Sequence, residues 1–108
     1  MTNEAILQDL FTIIEGRKGA KPDESYVSSL YAKGTSKIAE KVGEEAVETI
    51  IEAVKGDKRA LAEESADLLF HLLVLWADQG IKPDVVLNIL RRRMGTSGHD
   101  EKASRTSS

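Results

Sequence analysis

The 108 residues predict an all-α fold, an antiparallel helical hairpin or bundle completed by dimerisation. Three observations carry that reading. Apolar residues recur at three- and four-residue spacing in five stretches, with no alternating strand pattern and no internal repeat. The two longest stretches are separated only by Gly56-Asp57, a natural helix stop followed by a natural cap, so the chain should fold back on itself there. From Leu68 to Ala77 every residue except His71 is apolar. A helix apolar all round needs cover on all sides, more than one small domain supplies, so a partner subunit is expected over it.

Taken in order, residues 3–16 carry Ile6, Leu7, Leu10, Phe11, Ile13 and Ile14, a helical stripe that Gly16 ends and Asn3 is placed to cap. RKGAKPDES is polar, broken by Gly19 and Pro22, and reads as a loop. Ser25 to Ala32, with Tyr26, Val27, Leu30 and Tyr31, reads as a short helix, and Lys33-Gly34-Thr35-Ser36 interrupts it and caps the next. The long helix from about Ser36 to Lys55 presents Ile38, Val42, Ala46, Val47, Ile50, Ile51 and Val54 as a broad apolar face. Gly43 lies inside it at a cost of about 1 kcal/mol against Ala, which calls for a reason such as close helix approach or ligand access. The partner helix runs from about Lys58 to Gln79 and stops at Gly80. Pro83 starts a last amphipathic helix through Val85, Val86, Leu87, Ile89, Leu90 and Met94. The domain therefore spans 1–95, with a polar, basic tail over 96–108.

Charge is uneven along the chain. The net value is −3, made of −6 in residues 1–90 and +3 in residues 91–108. This is no nucleic-acid-binding balance; an acidic body with a basic tail suits a metal bound to a polyphosphate. The absence of cysteine excludes disulfides and zinc–thiolate sites and fits a reducing compartment. With no apolar run of membrane-spanning length and no basic stretch at the start, the expectation is a cytoplasmic protein without a membrane partner.

The acidic residues that matter flank the Gly56 break. Glu45 and Glu48 share a helix face at i, i+3, and so do Glu64 and Asp67. Glu48 and Glu64 each lie eight residues from Gly56, and Glu45 and Asp67 each lie eleven from it. At a rise of about 1.5 Å per residue, each carboxylate on one helix meets a partner at similar height on the other. A solvated acidic face would mix signs at i, i+4; here Glu44, Glu48 and Glu52 repeat one sign at that spacing. Four such carboxylates suit a hard cation, Mg²⁺ with Mn²⁺ as a substitute, rather than zinc or copper. Di-iron chemistry would want a histidine three residues after a glutamate, where these helices have Glu48 and Asp67. Glu52 and Glu63 are set aside as surface. His71, one turn beyond Asp67, reads either as a satisfied core histidine or as support behind a carboxylate ligand. Lys33 and Gly34 precede a helix N-terminus, and Lys37 and Lys41 follow one and two turns on, a set that favours an anion, although glycine before a cap is also ordinary loop chemistry.

At these residues the sequence resembles a known family. The blocks SYVSSLYAKGTSKIAEKVGEEAVE, EESADLLFHLLVLWADQGI and RRRMGTSGHDEKASR are similar to phosphoribosyl-ATP pyrophosphohydrolases, within the wider MazG-like all-α nucleotide pyrophosphohydrolases. Those are marked by Glu-x-x-Glu on one helix and Glu-x-x-Asp on the next, here Glu45/Glu48 and Glu64/Asp67. The resemblance implies Mg²⁺-dependent hydrolysis of phosphoribosyl-ATP to phosphoribosyl-AMP and pyrophosphate, the second step of histidine biosynthesis, in a homodimer. It implies the pyrophosphohydrolase alone, since the cyclohydrolase half fused to it in many organisms uses cysteine-ligated zinc. Metal then falls to Glu45, Glu48, Glu64 and Asp67, the attacking water to Glu44 or Glu45, phosphate to the lysines, and the basic tail is placed to close over the site. Two rivals stand beside it: house-cleaning hydrolysis of noncanonical NTPs, and a non-enzymatic helical dimer with an acidic face.

Overall fold

A computed structural model describes residue 3 and residues 5–94 of the chain. The 96–108 tail expected from the sequence, and with it the Gly95 stop, lies outside the described residues. Five helices follow one another: α1 (Ile6–Glu15), α2 (Tyr26–Lys33), α3 (Thr35–Lys55), α4 (Lys58–Gln79) and α5 (Pro83–Arg93). No strand occurs among the described residues. The fold is all-α; α3 and α4 form the antiparallel hairpin, α1 packs on α4, α2 on α3, and α5 on α1. No helix among the described residues is long and apolar enough to cross a membrane.

The turn of the hairpin is built as its residue types require. Gly56 closes α3 in the left-handed conformation, φ 78°, ψ 17°, where a side chain would be strained. Asp57 then caps α4, its carboxylate accepting from Ala60 N at 3.0 Å, a contact worth about 1 kcal/mol. Two other caps depart from expectation. The cap of α1 is Ala5, with no side-chain hydrogen bond, so Asn3 stands two residues too early to serve. α3 begins at Thr35 after Gly34, again without a side-chain cap. Thr35 Oγ1 instead donates to Asp78 Oδ2 at 2.6 Å, tying the start of α3 to the end of α4. Ser25 does cap α2, accepting from Ser28 N at 3.0 Å.

The buried core comprises Phe11 and Ile14 of α1, Val27 and Leu30 of α2, Ile38 of α3, and Leu73, Val74 and Ala77 of α4. All of these lie where α3 begins and α4 ends. α1 and α2 therefore brace one end of the hairpin, and Tyr31 Oη fixes them together by donating to Ile14 O at 3.1 Å. Burial and electrostatic pressure from Asp78 and Glu15 push that phenol up to about 12, so it stays protonated and able to donate. The other end, toward Gly56, extends beyond these core residues. This is where the carboxylates sit.

Two expectations about covered surfaces resolve differently. The Leu68–Ala77 stretch buries His71, Leu73, Val74 and Ala77 within the chain, while Leu69 remains half exposed. The apolar face of α3 is mostly open: Val47, Ile50, Ile51 and Val54 are all exposed, Val54 to 83%. Gly43 lies on that same open face, at i, i+4, i+7 and i+11 with Val47, Ile50 and Val54. A Cβ built on Gly43 would meet nothing within 4 Å among the described residues, so close approach inside this chain is not its reason.

Candidate metal centre

The hairpin brings three carboxylates together across its two helices. One oxygen from each of Glu45, Glu48 and Glu64 lies within 4.8 Å of the others. α3 supplies the i, i+3 pair, and α4 supplies the residue that the turn sets at the height of Glu48. Glu45 is 8% exposed, Glu64 is half buried and Glu48 is exposed, so the group opens to solvent on one side. Asp67 is exposed and does not fall within this trio.

The electrostatics of the trio are those of crowded carboxylates. Glu48 beside it, then loss of water, then Glu45, push the Glu64 carboxyl up to about 7. Oε2 of Glu45 and Oε2 of Glu64 are buried without a hydrogen-bond partner among the described residues. Buried polar oxygens without partners are rare because each forfeits its hydration with no return. Like charges held this close add to that cost. A hard divalent cation relieves both at once, and an all-carboxylate donor set is the one such a cation prefers. The residues present fit Mg²⁺.

The other predicted residues fall at graded distances. Lys41 lies one helical turn before Glu45 and donates to Glu44 Oε2 at 3.0 Å. That contact and the Lys41 charge hold the exposed Glu44 carboxyl below its ordinary range, so it stays ionised. Lys37 pairs with Glu40 at 3.4 Å. Lys33 and Gly34 sit at the α2–α3 junction, about 16 Å along the α3 axis from Glu45. Lys41 is thus the lysine of this set nearest the trio, within reach of the Glu45 charge, while Lys33, Gly34 and Lys37 lie farther toward the start of α3. Glu52 and Glu63, set aside from the sequence, pair locally with Lys55 at 3.3 Å and Arg59 at 3.3 Å.

His71 is buried at 6% exposure and does not touch the Asp67 carboxylate. Its Nδ1 donates to the main-chain oxygen of Asp67 at 2.7 Å. Its Nε2 meets the hydroxyl of Tyr26, the first residue of α2, at 2.8 Å. Sequence reasoning treated Tyr26 only as an apolar member of a short helix. The contact spans 45 residues, and no local periodicity could have revealed it.

Comparison with known proteins identifies the family. The family model for phosphoribosyl-ATP pyrophosphohydrolase matches residues 7–94, which include every carboxylate of the trio. A protein of Azospirillum brasilense named phosphoribosyl-ATP pyrophosphatase is 58% identical over 103 residues, covering 95% of this chain and 93% of the relative. One of the same name from Paramagnetospirillum magneticum is 57% identical, covering 93% and 92%. Another, from Geobacter sulfurreducens, is 55% identical, covering 93% and 93%.

Proposed function

The chain belongs to the phosphoribosyl-ATP pyrophosphohydrolase family, and from that membership we propose how its hairpin performs the reaction. The protein is a hydrolase that splits phosphoribosyl-ATP into phosphoribosyl-AMP and pyrophosphate, a step of histidine biosynthesis. The location proposed for it is the cytoplasm, where a biosynthetic step of this kind meets its nucleotide substrate.

We assign Glu45, Glu48 and Glu64 to Mg²⁺, with Mn²⁺ as a substitute, and Asp67 as a fourth ligand from the next turn of α4. The observation that carries this is the pair of buried, unpartnered oxygens on Glu45 and Glu64. When bound, the ion neutralises triphosphate oxygens as charge moves onto the leaving pyrophosphate. The remaining work falls to the chain. Lys41, closest to the trio, takes a phosphate oxygen, and Lys37, Lys33 and Gly34 extend that basic edge along the substrate. Glu44 or Glu45 orients the attacking water and receives its proton. Glu44 stays charged beside Lys41, which suits it to orienting. His71 supports the Asp67 turn from behind through its main-chain contact.

A pyrophosphate-release panel tests this reading. Phosphoribosyl-ATP with Mg²⁺ should be hydrolysed at least about 100-fold more efficiently than dUTP, dCTP or ITP, a discrimination within reach of polar contacts to the added ribose phosphate. Without divalent cation, release should stop. Preference for any of the three nucleotides would move the enzyme to house-cleaning chemistry instead.

We also propose that the enzyme is a homodimer, formed over the open apolar face of α3. Val47, Ile50, Ile51 and Val54 form one contiguous stripe of a kind that monomers rarely leave in water. Gly43 at the end of that stripe leaves room for a second backbone. Ile50→Glu puts a charge at its centre and should convert the dimer to monomer in sedimentation velocity; a wild type already monomeric at high concentration would contradict the assignment.

A further inference from the structure

The contact between Tyr26 and His71 has a fixed direction. A main-chain carbonyl can only accept, so the Nδ1 that faces Asp67 O at 2.7 Å carries the proton. In the neutral ring Nε2 is then an acceptor, and the Tyr26 hydroxyl at 2.8 Å must be the donor. The single proton of Tyr26 is therefore spent inward on a buried partner. The tyrosine ring sits against α4. It stacks on Phe70 at 6.3 Å and meets His71 edge-on at 5.7 Å. Yet Tyr26 is 49% exposed. What it offers outward is an oxygen that accepts and does not donate.

That oxygen meets α4 at His71, beyond the carboxylates toward the core end of the hairpin. His71 is one turn from Asp67, and Asp67 is three residues from Glu64, along one face of α4. From the other helix, Lys41 stands within electrostatic reach of Tyr26. The two groups differ in what they can bind. Phosphate oxygens are acceptors, so they suit Lys41 and are useless to Tyr26 in this state. A sugar hydroxyl is a donor, and Tyr26 is the group placed to take it.

We propose that Tyr26 is a substrate-binding residue that accepts a hydrogen bond from a ribose hydroxyl of the substrate, and that His71 is a positioning residue that imposes this polarity. The inference rests on the phosphoribosyl-ATP reading, and its test separates the two. Equilibrium binding of phosphoribosyl-AMP, with no turnover, should weaken about tenfold in Tyr26→Phe, the scale of one lost hydrogen bond. Magnesium pyrophosphate, whose oxygens only accept, should bind Tyr26→Phe as it binds wild type. In turnover, KM for phosphoribosyl-ATP should rise about as much while kcat changes little, the signature of a contact made equally in the ground and transition states. His71→Met should weaken phosphoribosyl-AMP like Tyr26→Phe, the double variant should be no worse than either, and His71→Gln, whose amide oxygen can stand at Nε2, should restore affinity. AMP and ribose 5-phosphate as separate ligands show which of the two riboses is read. An unchanged Kd for phosphoribosyl-AMP in folded Tyr26→Phe overturns the proposal, as does an equal loss for magnesium pyrophosphate. A wild type that binds phosphoribosyl-AMP with this Tyr26 dependence but releases no pyrophosphate overturns the functional reading alone.

Discussion

Glu48→Gln lowers pyrophosphate release from phosphoribosyl-ATP at least about 100-fold and leaves the fold intact, the loss expected when a positioned catalytic group is removed. The fold survives because Glu48 is exposed and lies outside the buried core. The activity does not, because Glu48 is the carboxylate through which α3 completes the trio with Glu45 and Glu64. The amide keeps the size of the side chain and one acceptor oxygen but removes the charge, so the change isolates electrostatics. A second consequence has the opposite sign. Without metal, a hydrogen bond shared with Glu48 is the foremost cause of the raised Glu64 pKa, with their mutual repulsion behind it; above about pH 8, where Glu64 is ionised, the repulsion remains and deleting the Glu48 charge relieves it. At that pH the metal-free variant should therefore melt above the metal-free wild type, while Mg²⁺ should raise its Tm less. Higher stability with lost turnover separates a metal site from a surface charge cluster. Turnover like wild type in Glu48→Gln would sink the assignment.

The hairpin was legible in the sequence because its signals are local. Gly56 and Asp57 adopt the stop and cap that their chemistry favours, and the boundaries of α3 and α4 follow from them. The α1 and α3 starts were less so, since Ala5 and Gly34 cap them without a side chain and no residue type marks such an end. Within the site, counting along two helices gives heights but neither rotation about each axis nor side-chain reach. That is enough to bring Glu48 and Glu64 together. It also pairs Glu45 with Asp67, whereas in the structure Glu45 joins Glu64, whose longer side chain reaches both α3 glutamates. His71 was legible as a polar residue on an apolar stretch, but its partners were not. One is a main-chain oxygen and the other a tyrosine from a different helix, and neither leaves a pattern in the chain.

Below about pH 7, the Mg²⁺ concentration for half-maximal activity should rise about tenfold for each unit of pH, reaching about a hundredfold by pH 5. The cause is competition at Glu64. Its carboxyl is pushed up to about 7 from an ordinary value of 4.5, and a cation needs it ionised. Above about pH 8 the group is charged without help and the requirement should flatten. The stability of the metal-free protein runs the other way. A carboxyl whose folded pKa is raised binds its proton more tightly in the folded state. Its contribution to stability is therefore full below the unfolded value of 4.5 and is lost as pH rises through about 7. Metal-free Tm should fall across that window, and saturating Mg²⁺ should abolish the fall, because the cation replaces the proton as the neutralising charge. Glu64→Gln removes the titrating group, so its metal-free Tm should lose this pH dependence even though its activity is lost as well. Measuring Tm with and without Mg²⁺ at several pH values, in wild type and in Glu64→Gln, decides the matter. A Mg²⁺ requirement that stays level from pH 8 down to pH 5 would mean that proton and cation do not compete for Glu64, and the ligand set would have to be drawn without it.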